Sequence, residues 1–187
     1  MRYLPFILAI LIFDIGHCFA QDQSSFDVPR PYMSPDSLLI MGELPILTTR
    51  DKLILTLGEP DSVVVTEGEC PGYFSYYCRN EYELMYWGSS YFEVCEDRAI
   101  VGAINFDETE SIYLIYNNEI KLNHETTVDY MREYYPETVS SMSDISVHQR
   151  GVYQSFGLPD QPVRAESGWI FFFRNDKLKM LHYWIPC

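Results

Sequence analysis

Two segments of the chain, LTTRDKLILTLGEPDS (Leu47 to Ser62) and ETTVDYMREYYPETVS (Glu125 to Ser140), are written to one plan. Thr48 and Thr126 read as helix caps, each followed three residues later by an acid, Asp51 or Asp129, that can complete a short capping box. Leu53, Ile54 and Leu57 form an apolar stripe in the first segment, and Met131 and Tyr135 take the places of Leu53 and Leu57 in the second. Gly58 and Pro60 stop the first helix, and Pro136 stops the second. A chain that writes one capped helix twice is constrained to build one structural unit twice.

The correspondence runs on past the helices. Gly72 matches Gly151, Tyr91-Phe92 matches Ile170-Phe171, and Glu96-Asp97-Arg98 matches Asn175-Asp176-Lys177, all at an offset of 79. Both triplets separate β-rich runs and read as hairpin turns. The lead-ins LLIMGELPIL and YLIYNNEIKL each suggest strand, tight turn and strand, with Asn117-Asn118 a good turn former. FGLPD at Phe156 to Asp160 resembles LGEPD at Leu57 to Asp61 but breaks the offset, and reads as a turn. The expected fold is therefore α+β: two tandem units, residues 38–110 and 111–187, each one helix plus antiparallel strands, forming a sheet with helices packed on one face. A unit of this size buries a thin core alone, and pairing two enlarges it.

Ahead of these units, residues 1–20 have the order of a secretory signal peptide, with Arg2, an apolar run from Leu4 to Phe13, then Asp14 and mostly small or uncharged residues up to Ala20. That run is half the ~20 residues a membrane-spanning helix needs, so no membrane insertion of the mature chain is expected. Residues 21–37 are polar and proline-rich and read as an irregular arm. The expected location is periplasmic or extracellular. Four cysteines remain after cleavage, Cys70, Cys78, Cys95 and Cys187, an even number that suggests two disulfides. The short loop CPGYFSYYC favours Cys70 with Cys78, leaving Cys95 with Cys187. No close cysteine pair of zinc-site spacing occurs, and no metal or other cofactor is expected.

The formal charge of −14 repels nucleic-acid phosphates and anionic lipid surfaces, which disfavours both as partners and permits a basic protein. Enzyme signatures are sparse, with no G-x-S-x-G, H-E-x-x-H, G-x-G-x-x-G or P-loop pattern. His124 reads as solvated, and His182, in an aromatic strand, as a packed residue. Asp107, Glu108 and Glu110 lie close together but lack the glycine and ligand alternation of a calcium loop.

A helix opened by Thr-Thr and closed by Leu57-Gly58-Glu59-Pro60-Asp61, followed by β-hairpins, resembles the small bacterial envelope proteins of the SmpA/OmlA type. Two such units in tandem resemble the β-lactamase inhibitor protein fold. The resemblance implies envelope assembly, or inhibition by a concave sheet that grips a protein. His17 precedes Cys18 where a lipobox has a small residue, which departs from the first group.

The chain has 15 Tyr and 11 Phe, many of them in GYFSYYC and YELMYWGSSYF. Alternation along a strand sends half of such residues into the core and leaves the others on an open face. Tyr and Trp beside acids are residue types that anchor protein interfaces. Tyr73, Phe74, Tyr76, Tyr77, Tyr86, Trp87 and Tyr91 are accordingly the candidate partner-binding residues, with no catalytic residue assigned. The expected function is that of an exported, non-enzymatic protein-binding protein, an inhibitor or immunity factor being the form this would take. The alternatives are an envelope structural or assembly component and, behind it, a small periplasmic hydrolase.

Overall fold

The structure, a computed structural model, describes residues 30–67, 72–74, 78, 81–108, 111–163 and 165–186. The expected signal peptide, residues 21–29 of the arm, Cys70, Tyr76, Tyr77 and Cys187 lie outside the described residues. The described part of the arm is pinned down. Arg30 N–H donates to the Pro162 carbonyl at 3.1 Å, and Met33 N–H to that of Pro159 at 2.9 Å. The Trp169 indole donates to the Met33 carbonyl at 2.8 Å, and Pro35–Ser37 forms one 3₁₀ turn.

Each lead-in folds as a hairpin. The first has β1 (Leu38–Ile40) and β2 (Leu44–Pro45), and after it comes β3 (Leu47–Thr49). The helix α1 (Arg50–Leu57) and four strands complete the first half: β4 (Ser62–Glu67), β5 (Glu81–Trp87), β6 (Ser90–Cys95) and β7 (Arg98–Asn105). The second half holds the hairpin β8 (Leu114–Tyr116) and β9 (Ile120–Leu122), then α2 (Val128–Tyr134) and α3 (Pro136–Ser140). The strands β10 (Ser143–Val147), β11 (Gly151–Pro159), β12 (Gly168–Arg174) and β13 (Lys177–Trp184) follow.

Turn chemistry explains these hairpins. Asn117 and Asn118 both have positive φ, 52° and 59°, as do Asn175 and Asp176 at 52° and 62°, the backbone that a two-residue primed turn requires. The two lead-in hairpins join in a small antiparallel sheet of order β2-β1-β8-β9, and the remaining strands form a large sheet of order β10-β11-β12-β13-β7-β6-β5-β4. Strand β3 also pairs with β7, beside β13.

The expected α+β class, with helices covering one face of a sheet, is corrected: the fold is β-rich. Among the described residues its α-helices have 8, 7 and 5 residues. That is little more than two turns at most, too short to roof a sheet of this width. Within α1 only Leu53 is buried, while Leu55 is 87 % exposed. The buried cluster is dominated by strand residues, among them Phe92, Trp169, Phe171, Phe173 and Leu181, joined by Leu38, Ile40, Leu114 and Leu122 of the small sheet.

The caps fall one residue later than expected. Thr49, not Thr48, accepts from Lys52 N–H at 3.4 Å, and Thr127, not Thr126, accepts from Tyr130 N–H at 3.0 Å. In the first pair Thr48 is still strand and pairs with Ala99. Thr126 is buried and its hydroxyl is used otherwise, donating to the Lys121 carbonyl at 3.1 Å and accepting from Asn123 N–H at 2.9 Å. Pro136 ends α2 as expected but also opens α3 at its first turn. FGLPD is the end of β11 rather than a turn.

The disulfide is also reassigned. Cys78 is bonded to Cys95, with Cα atoms 6.3 Å apart, so neither Cys70 with Cys78 nor Cys95 with Cys187 is formed. The bond ties the segment before β5 to the end of β6. Among the described residues no helix is long and apolar enough to cross a membrane.

Candidate functional site

Period-two alternation divides the large sheet into a buried face and an outward face. Met85, Phe92, Val101, Phe171 and Leu181 point into the core. The outward face carries a row set by register: Tyr86 is opposite Tyr91, Tyr91 opposite Ala103, Ala103 opposite His182, and His182 opposite Ile170. Tyr86, Tyr91, His182 and Ile170 are half-buried. The Tyr86 and Tyr91 ring centroids lie 5.9 Å apart, and the Tyr91 hydroxyl is 3.3 Å from His182 Nε2.

Two irregularities shape this row. Between β6 and β7 the register passes from Tyr91–Ala103 to Phe92–Val101, leaving Gly102 as an extra residue. The Tyr91 ring lies directly on it, in space a Cβ would need, so glycine is there for close approach. A second shift, between β12 and β13, leaves Lys179 without a partner between Leu178 and Met180. Lys179 and Met180 are both half-buried, on either side of which Leu178 and Leu181 are fully buried.

Met180 faces Phe172 across the ladder, Phe172 meets Tyr153 edge-on at 6.0 Å, and the Arg174 guanidinium lies 4.0 Å above the Tyr153 ring. Arg150, Arg174 and Lys179 gather here beside Asp107 and Glu108, and Lys179 Nζ reaches Asp107 at 2.6 Å. The face of this acidic chain therefore includes one cationic corner.

At the other end, residues 72–74 lie across β5 and β6 as a strap. Phe74 N–H donates to Glu93 Oε2 at 3.3 Å, and Gly72 N–H donates to the Tyr82 hydroxyl at 3.1 Å. Any Cβ on Gly72 would overlap the Glu93 carboxylate. Burial under the strap pushes the Glu93 carboxyl above its ordinary range, against the pull of the Phe74 and Tyr73 amides. The Tyr91 phenol is pushed up by burial and, secondarily, by the neighbouring Glu93 charge. Burial holds the His182 imidazole below its usual value.

The structure separates the sequence candidates. Tyr86 and Tyr91 stand on the outward face. Phe74 is fully buried beneath Arg98, whose guanidinium carbon is 5.2 Å from the ring centre. Trp87 is 7 % exposed, packs edge-on against Phe92 and donates its indole N–H to the Gly58 carbonyl. These two are core residues. Tyr73 is half-buried between Phe74 and Tyr183, and Tyr76 and Tyr77 are outside the described residues.

Sequence reasoning missed Ile170, Met180 and His182, which complete the row from the second half. The signal was present, since Ile170 is the position matched to Tyr91 at the offset of 79. No protein-family model, curated protein or solved structure matches the chain.

Proposed function

We infer that this chain is an exported, non-enzymatic protein that binds another protein on the outward face of its large sheet, as an inhibitor or immunity factor does. The observation that carries the reading is the row of half-buried Tyr86, Tyr91, His182 and Ile170 on the outward face, continued by Met180. Such rings add contact area at little entropic cost on association. The row is flanked by Val64 at 49 %, Ile145 at 38 % and Trp184 at 46 % exposure. Export is supported by the Cys78–Cys95 disulfide, a bond that persists in oxidising compartments. The net charge favours a partner that is basic overall, with the Arg150–Arg174–Lys179 corner taking an acidic group at the margin.

The test is capture of a partner at low salt from periplasmic or culture extract, using the wild type, Tyr86→Ala and Ile170→Ala. Each variant should keep its fold and weaken the captured complex by about 2 kcal/mol, roughly thirtyfold. A partner held equally by both variants, or none held by the folded wild type, would set the reading aside.

A further inference from the structure

The large sheet ends on one side in β4, which pairs with β5 along all 6 of its residues. In an antiparallel pair every second residue turns its N–H and C=O away from the neighbouring strand. The outer edge of β4 therefore presents a row of backbone donors and acceptors with no strand partner among the described residues. Such an edge is a template for one more strand, and proteins ordinarily blunt it with a lysine, a proline or a bulge. The sequence of β4, SVVVTE, has no lysine or proline, and its register with β5 runs without a shift. The opposite edge, β10, carries Asp144 and two serines instead of a run of valines.

Residues directly opposite one another across a ladder share a face. Val63 is opposite Met85, on the side of the core, and Val64 is opposite Leu84, on the outward side. Yet Val63, Val64 and Val65 are 44 %, 49 % and 65 % exposed, so the edge is open on both faces. β-Branched side chains owe their place in strands to packing against a neighbour on the pleated surface. A strand added beyond β4 would cover these three valines and pair the free backbone groups in one step.

Charge selects the occupant. Val65, Glu81, Glu83 and Glu96 line a groove of about 260 Å³ beside the edge, and Arg50, which also lines it, is ion-paired with Glu83 at 2.8 Å. Asp61 precedes the strand. A strand ~4.8 Å beyond β4 puts one of its side chains in line with Val65 and Glu83. A lysine or arginine there can lay its apolar stem along Val65 and carry its charge toward the carboxylates. A second copy of a chain with net charge −14 would bring like charge to an edge that acids already surround. We propose that the outer edge of β4 takes up an extended, basic segment of another protein as an additional antiparallel strand. The edge shares no residue with the outward row, so the two surfaces stand or fall separately.

The experiment titrates the intact protein with an acetylated, amidated peptide of alternating lysine and valine, about seven residues long to match a strand. Amide hydrogen exchange is read at each residue from Ser62 to Thr66. In the free protein every second amide of β4 should exchange freely, and saturating peptide should slow those amides about tenfold, with a Kd of about 1 mM or tighter. A peptide of alternating glutamate and valine should bind about tenfold more weakly. Val65 is the most exposed of the three valines, so Val65→Lys keeps the fold; it should weaken the lysine peptide about tenfold, while Val65→Thr binds it nearly as the wild type does. Unchanged exchange of the β4 amides at about 5 mM lysine peptide, equal slowing by the glutamate peptide, or undiminished binding by Val65→Lys would overturn the proposal. Sedimentation velocity of the free protein should show a monomer; a dimer that Val65→Lys breaks would assign the edge to a second copy and overturn it as well.

Discussion

Replacing Gly102 with Ala tests how the central row is held. The glycine is the extra residue of the β6–β7 register shift, and a Cβ there would overlap Cε2, Cδ2 and Cζ of the Tyr91 ring. Its φ is not in the left-handed region, so alanine meets no backbone strain and the whole effect is steric. Overpacking of this kind costs about 1–3 kcal/mol. Relief requires the Tyr91 ring to swing outward, breaking its contacts with Tyr86 and His182. In a chain of this length each kcal/mol lowers Tm by about 2–4 °C. Urea melts of Gly102→Ala, Tyr91→Ala and the double variant measure the coupling directly. The glycine replacement should cost about 1–3 kcal/mol in the wild type and close to nothing once Tyr91 is Ala, because the two changes share one contact. A cost below about 0.5 kcal/mol, or the same cost in both backgrounds, would refute the reasoning.

Peptide mapping under non-reducing conditions should recover Cys78 linked to Cys95. Opening that 17-residue separation with Cys95→Ser should cost about 3 kcal/mol in the chain-entropy model; recovery of Cys70 linked to Cys78 would contradict the assignment. His182 and Glu93, on the outward face, should give pH slopes of opposite sign. Burial holds His182 below 6.5, so below that pH the unfolded chain takes up a proton the native chain refuses. Its contribution to stability is lost as pH falls from 6.5 through the lowered value. Burial holds Glu93 above 4.5, so the native chain binds the extra proton and stability from this group is lost as pH rises from 4.5 through the raised value. Melts between about pH 4 and 8 should show His182→Gln and Glu93→Gln each removing its own slope, and unchanged slopes would refute the burial assigned to them.

Local signals were legible where one residue's backbone preference decides the outcome. Asn117-Asn118 and Asn175-Asp176 mark turns because they tolerate positive φ, and Gly58 and Pro136 end helices for equally local reasons. The weight of helix against strand was not legible, since it depends on how much each element buries: α1 buries Leu53 alone, and its stripe residues Ile54 and Leu57 are only half-buried. The cap position shifted because β7 claims Thr48 as a strand partner, a long-range demand that overrides a local pattern. The aromatic candidates form one cluster in the sequence, yet alternation puts Tyr86 outward and its neighbour Trp87 inward. Phe74 could not be placed by alternation at all, because it lies in a strap whose burial depends on Glu93 and Arg98, both distant in sequence. Spacing favoured Cys70 for Cys78, whereas the sheet brings Cys95 to it.

The most direct test of the outward row as a binding surface is tyrosine-selective covalent labelling of the free protein and of its captured complex, read residue by residue. Tyr86 should be labelled in the free protein and protected in the complex, while Tyr130, on α2, should label equally in both. Equal labelling of Tyr86 in the two states, with protection appearing at Tyr130 instead, would contradict the account.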